Sequence, residues 1–155
     1  VIVEEITWEE ILPVWKDKLW PGRISKIDPA SAITYPGGKD RRNTVFTPTY
    51  FAIKTDKIIA VNSVIMCYDG GARSRGLWVD PVCRGQGLAK AILSKTIEKA
   101  TQDGATYLWT MPRQSALPAY VSVGFEQTTD WFDEGVEFGP NCYARMMLTA
   151  SSTDI

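Results

Sequence analysis

The stretch that most limits how this chain can fold runs from Ala72 to Met111. A strand pattern over Ala72 to Val79 enters the turn Asp80-Pro81-Val82-Cys83-Arg84-Gly85-Gln86-Gly87, a long amphipathic helix starts at Leu88, and another strand, Thr106 to Met111, follows Asp103-Gly104. Such a strand-helix-strand unit closes with a right-handed crossover, so its two strands run parallel in one sheet. On the helix, Ala89, Ile92, Leu93, Thr96, Ile97 and Ala100 share one face, which packs on that sheet. The turn has a chemical consequence as well. Glycines let backbone amides point inward without a Cβ in the way, and a helix N-terminus carries unpaired N–H groups worth about half a positive charge. The turn is therefore an anion cradle, and a phosphorylated group is its natural guest. No Gly-Lys-Ser/Thr follows, which excludes a Walker loop, and the third glycine of the nicotinamide fingerprint is missing.

Around this unit the chain reads as one α/β domain. Val1 to Ile6 alternates weakly as a first strand, and Thr7-Trp8-Glu9-Glu10 is a capping box flanked by Ile6 and Ile11 as a hydrophobic staple. The helix that starts there is expected to reach about Leu19, bent at Pro13, with Trp8, Leu12, Trp15 and Leu19 as its core stripe. Residues 20–47 form a long connector of Pro, Gly, Ser and charge that can cover a substrate site. One helical turn is expected over Pro29 to Ile33 and a turn at Tyr35-Pro36-Gly37-Gly38; Lys39-Asp40-Arg41-Arg42 either touches phosphate or is solvated. Thr49 to Lys54 and Ile58 to Tyr68 pair as a hairpin that Ala72 to Val79 extends. Ser115 to Val123 is a short helix, and Phe125 to Phe132 and Cys142 to Thr149 are the arms of a terminal hairpin. The domain is expected over residues 1–150, with a polar tail at 151–155.

Composition narrows the chemistry. At 155 residues the chain can bury one sizeable core without disulfides. A net charge of −1 argues against a nucleic-acid partner, and no run approaches the ~18 apolar residues of a membrane span. The N-terminus lacks a signal-peptide pattern, so the cytoplasm is the expected location. Cys67, Cys83 and Cys142 show no metal-ligand spacing and are expected to be buried thiols, with no metal. Histidine is absent, which removes Ser-His-Asp and Cys-His mechanisms and leaves carboxylates, tyrosine, thiols, backbone and water.

Two blocks carry a resemblance. Val79-x-Pro81-x-x-Arg84-Gly85-x-Gly87-x-Ala89 and, further on, Ala116, Tyr120, Gly124 and Phe125 match the pyrophosphate loop and the Ala-x-x-x-Tyr-x-x-x-Gly-Phe signature of the GNAT superfamily of acyl-CoA-dependent N-acyltransferases. The chain resembles that family over about residues 76 to 126. The resemblance implies a mixed sheet, flanked by helices, that splays open beside Leu77, Trp78 and Val79, whose backbone would pair with the pantetheine arm of acetyl-CoA. It implies a pyrophosphate held by the amides of Arg84, Gly85, Gln86, Gly87, Leu88 and Ala89. Arg84 either adds a charge contact or stays a surface arginine. Tyr120 matches the family tyrosine that protonates the departing thiolate, a step suited to a phenol with a pKa near about 10. Arg113 departs from the asparagine that the family often places there.

The activity so implied is acetyl transfer to a primary amine by direct attack on the thioester. A non-catalytic acyl-CoA-binding or sensing module is the alternative, because Ala72 to Val79 carries no carboxylate to serve as base. Water, Asp69, Glu126 or a carboxylate of the terminal hairpin remain as proton acceptors. The expected acceptor is a small-molecule amine or a peptide, and a homodimer is compatible with the composition. Glu126, Asp130, Asp133, Glu134 and Glu137 lie among Trp131, Phe132 and Phe138 in a stretch without Lys or Arg between Gly124 and Arg145, an acidic and aromatic setting that suits a cationic acceptor, with Glu126, Trp131, Asp133 and Glu134 as its expected contacts.

Overall fold

A sheet covered on both faces needs strands that are apolar on both sides, and the hairpin after the connector is written that way. In the computed structural model, which describes residues 1–148, seven strands form one sheet in the order β1-β2-β3-β4-β5-β7-β6. β1 (Glu4–Ile6), β2 (Thr49–Lys54), β3 (Ile58–Met66) and β4 (Ala72–Val79) pair antiparallel, and β5 (Tyr107–Thr110) runs parallel to β4 as the crossover rule requires. β7 (Ala144–Met147) lies between β5 and the edge strand β6 (Glu126–Gln127). The expected tail at 151–155 lies outside the described residues.

Along β2, Phe51 and Ile53 face a core built with Leu88, Ile92, Leu93 and Ala100 of α2 (Leu88–Gln102) and with Tyr120 of α3 (Leu117–Ser122). Tyr50 and Ala52 face the opposite layer, where α1 (Trp8–Val14) and the turn after it supply Ile11, Trp15 and Leu19. The capping box forms: Thr7 Oγ1 accepts from the Glu10 amide at 3.2 Å and Glu10 Oε1 accepts from the Thr7 amide at 3.1 Å. The helix changes register after Pro13, continuing from Trp15 to Leu19 as a π-helix in which the Trp20 amide reaches back to the Trp15 carbonyl at 2.7 Å. Its buried stripe is Ile11, Trp15 and Leu19, while Trp8 and Leu12 are half-buried.

Two expectations change. Pro29 to Ile33 forms no helical turn; Ile33 instead bridges Lys39 across the tight turn at 34–38. The terminal hairpin has shorter regular arms than its pattern suggests. Thr129 Oγ1 replaces a backbone acceptor for the Tyr143 amide, at 2.9 Å, so the ladder is interrupted before Phe132 pairs again with Asn141.

Two features open the sheet. β4 pairs with β5 only at Ala72–Leu108 and Arg73–Trp109, beyond which the strands part. Between the pairs Ser63–Arg75 and Val61–Trp78, Gly76 and Leu77 of β4 stand opposite the single residue Asn62, a β-bulge with Gly76 at φ 78°. The bulge bends β4 away from β5 where the gap begins.

Candidate active site

The loop entering α2 is shaped by its own chemistry. Asp80 accepts from the Val82 amide at 3.2 Å and starts a single 3₁₀ turn, Pro81–Cys83; that hydrogen bond, then Lys57, holds its carboxyl below the usual range. Gly85 and Gly87 follow at φ 81° and 78°, and a Cβ on either would meet no atom within 4 Å. Their part is the left-handed backbone and an open approach, which is what a bulky anion needs. Among the described residues the amides of Arg84 to Lys90 have no protein acceptor; the first amide of α2 that does is that of Ala91, to the Gly87 carbonyl at 3.1 Å. These donors fit a pyrophosphate. Arg84 is exposed and its Nε donates to the Val79 carbonyl at 3.2 Å. Leu88 is buried, so its side chain packs in the core while its amide belongs to the cradle.

Where β4 and β5 part, a cleft of about 860 Å³ opens, lined by Gly76 and Leu77 of β4, Thr110 to Arg113 after β5, Ala116 and Tyr120 of the α3 segment, and one wall of the connector from Trp20 to Thr44. The connector thus borders the cleft. Tyr120 is 2% exposed, and its hydroxyl lies 2.9 Å from Ser74 Oγ. Ser74 donates to Asn62 Oδ1, and Asn62 Nδ2 donates to Thr96 Oγ1 at 2.8 Å, which donates to the Ile92 carbonyl. Burial raises the phenol above its ordinary value, against smaller opposing contributions from the Ser74 and Thr110 hydrogen bonds and the Arg73 charge. Tyr120 therefore stays protonated at neutral pH, as a proton donor must.

The opposite face of β4 carries Arg73 and Arg75, which share a side because strand residues two apart do. Arg75 lies over Trp15 at 5.0 Å and Nη1 donates to the Asp28 carbonyl at 2.7 Å; burial, then Arg73 and Arg23, pull it down to about 9. Arg113 donates to the Leu19 carbonyl at 2.9 Å and so ties the end of β5 to the first helix. The sequence reading missed Arg73 and Arg75 as site residues and marked Arg113 only as a departure from the family pattern. Two cations spaced by one residue inside an otherwise buried strand were the available signal.

Of the hairpin residues proposed from charge, Glu137 and Phe138 line the cleft and the four expected contacts lie elsewhere. Glu126 is exposed on the edge strand, Trp131 is half-buried, Asp133 and Glu134 are exposed, and none of them lines the cleft. Asp69 does not line it either, accepting instead from the Tyr107 hydroxyl and the Gly71 amide. The cleft carboxylates are Asp28 and Glu137. Trp78 packs under the first helix, leaving Leu77 as the β4 apolar side chain on the cleft. Cys67 and Cys142 are buried, and burial pushes the Cys142 thiol up to about 11, far from a nucleophile's range.

Glu137 latches the connector: it accepts from the Ile24 and Ser25 amides, the latter at 3.2 Å, and from Ser25 Oγ at 2.7 Å. The Ile24 hydrogen bond is the main reason its carboxyl sits below the usual value. A depressed carboxylate contributes its stabilisation above the unfolded value of about 4.3 and loses it as pH falls through the lower folded value. Amide NMR shifts of Ile24 and Ser25 should titrate with a midpoint below that of free glutamate. The titration should vanish in Glu137→Gln, and a midpoint at or above the free value would contradict the latch.

A splayed mixed sheet with an amide cradle at one helix N-terminus and a buried phenol in the gap is the arrangement that the sequence resemblance implies for an acyltransferase drawing on a CoA thioester. The profile of the acetyltransferase (GNAT) family matches residues 11–125, and the chain belongs to that family. Among curated protein sequences no match is found. Similar solved structures include the IAA acetyltransferase of Bacillus cereus (15% identity, 95% of this chain and 99% of that one, TM-score 0.64). The ribosomal-protein-S18-alanine N-acetyltransferase of Escherichia coli is similar too (15% identity, 99% and 97%, TM-score 0.63). So is an acetyltransferase of Bacillus subtilis in complex with CoA (17% identity, 66% and 78%, TM-score 0.54). At these identities the likeness establishes the fold. Among the described residues no helix is long and apolar enough to cross a membrane, and no three His, Cys, Asp or Glu side chains gather as a metal group.

Proposed function

We propose that this chain is an acetyl-CoA-dependent N-acetyltransferase that moves an acetyl group to a primary amine by direct attack, without a covalent enzyme intermediate. The observation that carries this reading is Tyr120, a buried protonated phenol lining the gap between β4 and β5. The unpaired amides of Arg84 to Lys90 support a role in holding the pyrophosphate, and the β4 backbone at Leu77 to Val79, beyond its last β5 pair and engaged on that side by Arg84 Nε at the Val79 carbonyl, supports one in aligning the pantetheine arm. In the reaction the amine nitrogen bonds to the acyl carbon as the C–S bond breaks. The amine proton leaves to water or to a cleft carboxylate, and Tyr120 gives its proton to the sulfur. Ser74 can then turn its hydroxyl toward the phenolate, which keeps the buried charge hydrogen-bonded until it is reprotonated.

Thiol release from acetyl-CoA in the presence of a panel of primary amines, with mass detection of the acetylated product, tests this. Amine-dependent release with a product heavier by one acetyl group is expected. Stoichiometric CoA binding with no turnover on any amine would favour a sensing module, a reading that the carboxylate-free β4 supports.

A further inference from the structure

Five arginines line the cleft, Arg23, Arg41, Arg73, Arg75 and Arg113, and among the described residues none has a carboxylate within 4 Å. Arg73 is the least compensated. It is 6% exposed, and Nε and Nη1 have no hydrogen-bond partner. Trp109 lies at 4.9 Å, but a ring contact engages the flat face of a guanidinium and leaves its in-plane N–H groups free. The two carboxylates of the cleft act on other members of the cluster, Glu137 on Arg23 and Asp28 on Arg23 and Arg75, and neither compensates Arg73: Glu137 is held by Ile24 and Ser25, and Asp28 is exposed beside Lys26 at 3.8 Å. Burying an unpaired charge next to like charges is unfavourable unless something of opposite sign enters. The planar fork of in-plane donors matches the two oxygens of a carboxylate or phosphate.

Resting on the acetyltransferase reading, we propose that the acceptor amine carries an oxyanion, a carboxylate or a phosphate, which Arg73 receives with support from Arg75 on the connector face of β4. The Ser74–Tyr120 pair lies on the α2 face of the same strand, so the two faces divide the work between anchoring the acceptor and protonating the leaving thiolate. An acidic amine enters with its charge held, whereas a polyamine meets a wall of cations. This reverses the charge expected from the terminal hairpin, because of its acidic residues only Glu137 lines the cleft, where Ile24 and Ser25 hold it, while Arg73 and Arg75 line the same cavity.

Calorimetric titration of the full chain, with and without saturating CoA, tests this on amine pairs differing only in the anion. The pairs are glycine and glycinamide, and O-phosphoethanolamine and ethanolamine, with glutamate and putrescine as further probes. At least one anionic member should bind about ten-fold or more tightly than its neutral counterpart, a gap of about 1.4 kcal/mol. The arm that binds separates carboxylate from phosphate. Arg73→Gln should reduce the preference to about three-fold or less, with Arg73→Lys intermediate and the surface control Lys95→Gln unchanged. Equal or tighter binding of the neutral or cationic amines, or no binding by any anionic probe at millimolar concentration, overturns the proposal. The wild-type comparison decides this even if a variant fails to fold. Acetylation of neutral or cationic amines alone would sink this inference and leave the transferase standing, whereas anion binding without acetyl transfer would do the reverse.

Discussion

Replacing Tyr120 by Phe should lower kcat by about 10²-fold or more, the usual contribution of a positioned general acid, while the KM for acetyl-CoA changes by no more than about two-fold. The ring stays packed edge-on against Phe125, with centroids 5.0 Å apart, so the substitution removes the hydroxyl and little else. What remains is Ser74, which keeps Asn62 as its partner, and the expected stability loss is about 1 kcal/mol. Steady-state kinetics with acetyl-CoA and an accepted amine give the split. Because burial holds the phenol above its ordinary value, the wild-type kcat should show no loss from Tyr120 ionisation as pH rises through the neutral range. Unchanged kcat in the variant would return Tyr120 to a packing role and assign thiolate protonation to solvent.

Gly76→Ala should be the most damaging single-methyl substitution in the chain. At φ 78° an alanine is forced into the left-handed region, at about 1–2 kcal/mol, and its Cβ would stand 2.3 Å from Cε2 of Trp15. Trp15 cannot retreat: it is fully buried, donates Nε1 to the Gly76 carbonyl at 3.0 Å, and packs against Trp8, Trp20 and Tyr50. Overpacking of that kind adds about 1–3 kcal/mol, for a total near 3 kcal/mol and a fall in Tm of about 10 °C. Gly104 is the control. It has φ 84° and open space where a Cβ would go, so Gly104→Ala should show only the backbone part. Thermal unfolding of both variants separates the two contributions, and equal losses would remove Trp15 from the account.

That glycine illustrates what pattern reading reaches and where it stops. Ala72 to Val79 was legible as a strand, and a lone glycine inside one signals a bulge in general terms. The partner that makes Gly76 obligatory is 61 residues away, on a helix whose contact with β4 no local pattern encodes. The terminal segment shows the same limit in reverse. Its alternation marks a hairpin, but Thr129 takes a backbone hydrogen bond and cuts the ladder short.

By itself the sequence determined most of the elements and the residues proposed for the donor side of the site. The capping box at Thr7, the strand-turn-helix at Val79 to Leu88 and the spacing from Ala116 to Phe125 are local codes, set by hydrogen-bonding and φ preferences within a few residues. Tertiary structure alone decided which side chains meet in the cleft proposed for the acceptor. Which charges meet in a cleft depends on how the connector, β4 and the segment after β5 are brought together, and electrostatics acts through space rather than along the chain. Asp133 and Glu134 are exposed outside the cleft that Glu137, a few residues on, lines, whereas arginines from the connector, β4 and the segment after β5 converge on one cavity.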